Sequence, residues 1–224
     1  MLLNIKMEDD FNFEDDFNFD DDYAIEENKP LPKEKEKEKT KRRSVECLEL
    51  SIKYEFKRAF SEIKLLDALK YERLKENTSY NFITGGDVDA LSYLKIVLNE
   101  QNLDYLLFST WCMAAEDILQ IDEWIQQGKI KKMDAYLGEI FPSSYKIEYK
   151  MMQKLFDKYK CGRMAIFKNH SKIFAGYGEK YHFGIQTSAN INTNPRTENG
   201  NITLSKELFE FYKAYFDGIK SFEK

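Results

Sequence analysis

The sequence predicts an α/β protein: a mixed sheet flanked by helices, preceded by an acidic tail that does not fold alone. Three observations predict it. From residue 79 onward, short apolar runs alternate with amphipathic helical segments, the pattern of a sheet covered by helices. The runs at 163–167, 171–175 and 182–187 then follow one another with no helix between them, which adds hairpin strands. Finally, charge is unevenly placed. Residues 1–28 hold eleven acids and one lysine, and residues 29–43 hold eight basic residues and three glutamates. The whole chain carries −5, so residues 44–224 sum to zero.

Each element has its own signal. Residues 9–20 repeat Asp-Asp-Phe-Asn-Phe-Glu as Asp-Asp-Phe-Asn-Phe-Asp. Such a segment repels itself and buries too little apolar area to fold, so residues 1–43 are expected to be a disordered tail and charged linker. The folded domain is placed at 44–224. In its first part, Leu48, Ile52, Phe56, Phe60, Ile63 and Leu66 recur at helical spacing, while Leu48, Leu50, Ile52, Tyr54 and Phe56 also alternate. The unbroken helical pattern favours an N-terminal helical extension over 44–78. Residues 80–84 read as a strand and 85–87 as a turn and cap. Residues 88–99 read as a helix with Leu91, Leu94 and Leu98 on one face. Residues 103–109 form a doubly buried strand, 114–127 a helix, and 131–141 a strand stopped by Pro142; 145–159 form a further helix. A turn is expected at Gly176, Gly178 and Glu179, a polar loop up to residue 201, and an aromatic-rich helix over 204–222.

Composition excludes several classes. Cys47, Cys112 and Cys161 are widely spaced, with no Cys-x-x-Cys pair, so neither a disulfide framework nor a zinc site is indicated. This suits a reducing cytoplasm. The start of the chain is too short in apolar residues for a signal peptide, and no apolar run reaches membrane-spanning length. With no net charge on residues 44–224, any nucleic-acid contact has to use a local basic patch.

The chemistry concentrates late in the chain. His170 and Lys172 are two apart and so share a face if they lie on a strand; Ser188 and Asn190 repeat that spacing on the next. An imidazole, an ammonium and an amide donor on one side of a hairpin suit phosphoryl transfer. The imidazole forms a covalent phosphoenzyme, and Lys172 and Asn190 hold the non-bridging oxygens. A carboxylate such as Glu198 then fixes the imidazole tautomer through Nδ1. No metal or other cofactor is required. Arg196 is a candidate phosphate ligand. Ser109 and Trp111, at the end of a central strand, are candidates for the cleft. Each has a plainer reading. An isolated histidine is usually a hydrogen-bonded structural residue, Trp111 alone reads as core, and Arg196 alone as a solvated loop residue. His182 reads as a strand residue. Gly85-Gly86 lacks the Gly-Lys-Ser/Thr of a phosphate loop and reads as a turn.

At these residues the chain resembles the phospholipase D superfamily. Its His-x-Lys, Ser-x-Asn and Glu-Asn signatures stand here as His170-Ser171-Lys172, Ser188-Ala189-Asn190 and Glu198-Asn199. The run from Ile83 through Ser109-Thr110-Trp111 and Gly138–Pro142 to Asn169 looks like single-motif members found in phages and prophages. The pattern departs in three places. The usual Asp after the Lys falls at Tyr177, Thr187 stands where Gly is common, and the hairpin is longer. The resemblance implies a phospholipase D-like half-unit whose active form is a homodimer, each subunit supplying one His170. It further implies a metal-independent phosphodiesterase or nuclease acting on DNA or RNA in a bacterial or phage-infected cytoplasm. The alternative is a catalytically weak nucleic-acid-binding or regulatory module that keeps the phosphate pocket. Lipid hydrolysis is disfavoured, because no amphipathic membrane-binding segment is present. The acidic, phenylalanine-bearing segment 8–23 crudely mimics phosphates and bases, which makes it a competitor for the same groove, a docking segment for a basic partner protein, or a solubilising tail.

Overall fold

The computed structural model describes residues 50–59, 64–65, 74–85, 88–192 and 196–222. The acidic repeat and the basic linker lie outside the described residues. Eight strands form one mixed sheet: β1 (Lys53–Ala59), β2 (Thr78–Thr84), β3 (Leu103–Thr110), β4 (Met133–Gly138), β5 (Met164–Phe167), β6 (Ile173–Gly178), β7 (His182–Thr187) and β8 (Glu198–Thr203). Their spatial order is β1-β2-β8-β7-β6-β3-β4-β5. Pairs β1–β2, β3–β4 and β4–β5 are parallel; the four central pairings are antiparallel. The helices bounded within the described residues are α1 (Ala90–Leu98), α2 (Ala115–Gln126), the short α3 (Phe141–Ser144), α4 (Lys146–Tyr159) and α5 (Lys206–Asp217).

The period-two alternation of β3 explains the layering. Leu106 and Phe108 enter the larger core, which also contains Leu91 and Leu94 of α1, Ile118 and Ile121 of α2, and Met152 and Leu155 of α4. Tyr105 and Leu107 face the other way, into a second core with Phe209, Tyr212 and Phe216 of α5. Both faces of β3 are therefore covered, and its near-continuous apolar run follows. At the β5 edge, residues after α5 fold back: Phe222 N donates to Ile166 O (2.7 Å) and Ile166 N to Ser221 Oγ (3.0 Å). That contact removes a free edge that would otherwise template pairing with another chain.

Five expectations are corrected. Residues 53–59 form a strand, not part of a helix, paired in parallel with β2 from Lys53↔Thr78 onward. The alternation prevails over the helical period because β2 offers an edge to pair with. Lys64 and Leu65 are helical; the rest of 60–73 lies outside the described residues. The cap of α1 is Asp89, whose side chain accepts from Ser92 N (2.8 Å) while Asp89 N donates to Ser92 Oγ (3.3 Å). The fourth strand ends at Gly138, and Pro142 sits in the first turn of α3, where a missing N–H costs nothing. Gly176, Tyr177 and Gly178 belong to β6, and the chain reverses after them.

The remaining correction is β8. The polar run from Glu198 to Thr203 is no loop but the strand between β2 and β7. Asn and Gly are poor strand formers, so the sequence hides it. Gly200 is required there: a Cβ would lie 2.5 Å from Cζ of the buried Tyr93 ring.

Candidate functional site

The C-terminal ends of β2, β3, β4 and β7 and the N-terminal ends of β6 and β8 meet at one end of the sheet, where α/β proteins commonly place their clefts. His170 and Lys172 lie in the loop just before β6, and Ser188 and Asn190 in the loop just after β7. Neither pair sits on a strand, so strand-face geometry does not bring them together. Strand pairing does: Ile173 opposes Gln186, and Thr187 N donates to Lys172 O at 3.1 Å, joining the two loops where the strands end.

His170 is exposed and Lys172 is buried beneath it. Lys172 Nζ lies 3.0 Å from His170 Nδ1 and 3.4 Å from Nε2, and donates to His170 O at 2.8 Å. Burial pushes the Lys172 ammonium below its ordinary pKa, against the opposing pull of Cys112 and Glu198. The Trp111 ring, half-buried, stands 5.2 Å from the imidazole at a tilt of 49°. Trp111 is thus a wall of the site beside His170. Gly138 makes room for that wall, because a Cβ there would stand 2.9 Å from Trp111 O and 3.2 Å from Asn169 O.

Glu198, at the start of β8, accepts a short hydrogen bond from Ser188 Oγ. Ser188 is further tied to Asn199: Ser188 N donates to Asn199 O and Asn199 N to Ser188 Oγ, each at 3.0 Å. The expected role of Glu198 at His170 Nδ1 is therefore corrected. The neighbour of Nδ1 is Lys172 Nζ, and Glu198 acts electrostatically on that ammonium while bonding Ser188. Asn190 is half-buried in the same loop. Its carbonyl accepts from Ala90 N (3.2 Å), and its buried Oδ1 finds no partner among the described residues. Arg196 is exposed, two residues before β8.

Ser109 does not reach the cleft. It is wholly buried, and its hydroxyl lies 2.5 Å from Ser171 Oγ and donates to Asn169 Oδ1 at 3.2 Å. It supports the His170 loop from below.

The residue that sequence reasoning missed is Asn169. Its Nδ2 has Thr110 O (3.2 Å), Tyr136 O (3.0 Å) and Ser109 Oγ (2.9 Å) within hydrogen-bond distance and shares two N–H groups among them, near the ends of β3 and β4. Its Oδ1 accepts from Ser171 N (3.0 Å) and Ser171 Oγ (2.7 Å). One amide thus fixes the backbone on both sides of His170. The signal was an Asn at a strand-end junction directly before the His-x-Lys pair, where an amide has two donors and an acceptor to spend on backbone.

His182 lies away from this site. It pairs with Tyr177 across β6–β7, and its ring stacks on Tyr177 (5.1 Å) and beside Phe209 (5.3 Å). Tyr177, where the sequence resemblance calls for an Asp, belongs to this aromatic group under α5. Among the described residues no group of three or more His, Cys, Asp or Glu side chains is placed to hold a metal ion. No helix among them is long and apolar enough to cross a membrane.

Comparison with protein-family models and with curated proteins gives no match. Among solved structures, polyphosphate kinase from Porphyromonas gingivalis aligns with a TM-score of 0.51 at 12% identity. The alignment covers 70% of this chain and 29% of the kinase. Over the aligned region the chain shares its fold with that part of the kinase. It spans under a third of the kinase's length, so the likeness carries the fold and not the kinase's activity. Two slighter likenesses carry no argument. Phosphatidylserine synthase from Haemophilus influenzae aligns at a TM-score of 0.47 and 10% identity, over 62% of this chain and 37% of its own. An archaeal chromatin protein described as binding DNA in a novel mode aligns at 0.45 and 10%, over 69% and 56%.

Proposed function

We propose that this protein is a phosphodiesterase of the phospholipase D type that works without a metal, with His170 as nucleophile and nucleic acid as substrate. The observation that carries the reading is the exposed His170 imidazole with the buried Lys172 ammonium 3.0 Å from its ring, set beside Ser188 and Glu198 at the C-terminal end of the parallel strands. An ammonium held under the imidazole is placed to receive the non-bridging oxygens of a phosphodiester. As the phosphate draws Lys172 Nζ to its oxygens, the imidazole lone pair is freed. It forms an N–P bond while the bond from phosphorus to the leaving oxygen breaks. The leaving oxygen takes its proton from the imidazolium of a second copy's His170 across a two-fold axis, so the active form is a homodimer. Water then attacks phosphorus and gives its proton to the second imidazole, while the N–P bond breaks and releases His170 and the phosphomonoester. Asn190 and Arg196 complete the oxygen contacts. This reading places the protein in the cytoplasm of a bacterial or phage-infected cell, akin to single-motif phage proteins.

A second reading, a phosphate-binding module with little turnover, is favoured by two observations. Tyr177 replaces the expected Asp and is committed to an aromatic cluster, and Nδ1 faces an ammonium rather than a carboxylate. Incubation with single- and double-stranded DNA and RNA in EDTA separates the readings. Cleavage by the wild type and none by His170→Asn supports the enzyme. Binding without cleavage in either protein supports the module.

A further inference from the structure

Helix α4 carries lysines at 146, 150, 154 and 158, one every four residues along its whole length. Each step advances about 6 Å along the axis and only about 40° around it, so the four form one stripe about 18 Å long. All four are exposed. Lys158 is paired with Asp122 (3.2 Å), but Lys146, Lys150 and Lys154 make no ion pair among the described residues. Of the two acids on the helix, Asp157 is held by Lys160 (3.1 Å), and Glu148 lies about 160° around from both Lys146 and Lys150. Lys150 and Lys154 also line a groove of about 460 Å³ with Gln153, Phe156, Asp157 and Met164.

The stripe starts at the end of the sheet that holds the candidate site, because α4 follows the C-terminal end of β4 through α3. Glu139, just before α3, accepts from Asn169 N (3.2 Å). Tyr145, which leads into α4, lies within electrostatic reach of Cys112, and Cys112 within that of Lys172. The sequence left residues 44–224 without net charge and required a local basic patch for any polyanion. Here is such a patch, with Trp111 half-exposed beside His170 as a surface for a base.

We propose that Lys146, Lys150 and Lys154 form a track for the phosphate backbone of a single-stranded nucleic acid, leading it to His170. The proposal rests on the reading of His170 as a phosphodiester site and names the surface that selects the substrate. An anionic membrane is the lesser fit, since the apolar face of α4, Met152, Leu155 and Phe156, is buried in the core and unavailable for insertion.

The test is the salt dependence of binding of the full chain to a fluorescent single-stranded oligodeoxythymidylate, by anisotropy. It is run in the His170→Asn background, so that presence or absence of turnover does not enter. Replacing Lys146, Lys150 and Lys154 together by Gln is expected to lower the slope of log K against log salt by about 2, at about 0.7 for each single-strand phosphate no longer neutralised. A control with equal charge loss, Lys131→Gln, Lys206→Gln and Lys213→Gln, removes lysines that are already ion-paired elsewhere and is expected to leave the slope unchanged. An unchanged slope in the α4 variant overturns the track. So does an equal fall in both variants, which makes the effect one of net charge. Binding of phosphatidylserine–phosphatidylcholine vesicles in place of the oligonucleotide also overturns it. Failure of His170 to form a phosphoenzyme, by contrast, defeats the catalytic reading and leaves the slope result standing.

Discussion

Replacing Asn169 by Ala tests whether one buried amide holds the His170 loop. The substitution leaves Thr110 O and Tyr136 O, at buried positions, and Ser171 N, at a half-buried one, without their side-chain partner. At about 1 kcal/mol for each of these three bonds, the loss is about 3 kcal/mol. For a domain of this size, each kcal/mol lowers Tm by roughly 2–4 °C, so a fall of roughly 6–12 °C is expected. Activity is expected to fall further than the folded fraction does, because Ser171 and His170 lose their anchor to β3 and β4. Calorimetry alongside cleavage at a temperature where both proteins are folded separates the two effects. A Tm within a degree of wild type, or full activity in the folded variant, would refute the idea that Asn169 positions the loop.

Other outcomes follow from the same geometry. Gly138→Ala is expected to cost about 1–3 kcal/mol by overpacking against Trp111 O and Asn169 O, seen as a lower urea midpoint. Asn190→Ala is expected to slow cleavage by about 10²–10³-fold with little change in stability, the usual effect of losing one oxyanion donor, read from kcat. Asp117 has its pKa raised to about 7, first by burial and then by the nearby Asp89. Its folded value is above the unfolded one, so its contribution is complete below about pH 4 and is lost as pH rises through 7. Asp117→Asn is therefore expected to raise Tm relative to wild type at pH 8 but not at pH 4, checked by thermal melts at both. Partial exposure to solvent reduces the gain to about 1–2 kcal/mol.

The sequence made most of the fold legible, because apolar periodicity is written plainly where an element is buried on one or both faces. The runs at β3 and α4 are examples: Leu106 and Phe108 against Tyr105 and Leu107, and Met152 with Leu155 and Phe156. It failed where tertiary pairing overrode local preference. β8 is polar and holds a glycine, and it is a strand because β2 and β7 flank it and Tyr93 leaves room only for Gly200. β1 carries both periods, and the open edge of β2 decides between them. At the site, the residue types were legible but their roles were less so. His170 and Lys172 converge through loops joined by Thr187 N to Lys172 O. Ser109 supports from beneath, and Glu198 answers to Ser188 rather than to the imidazole. Spacing in one strand carries no information about a hydrogen bond to residues sixty positions away, which is how Asn169 escaped notice.

Covalent trapping tests the central claim most directly. The wild-type protein is mixed with oligonucleotide in EDTA, quenched in alkali to preserve phosphohistidine, and the peptide spanning residues 169–172 is sequenced by mass spectrometry. The account predicts a phosphoryl-linked adduct on His170 in the wild type and none in His170→Asn. Cleavage that proceeds in EDTA with an unmodified His170, or undiminished in His170→Asn, would contradict it.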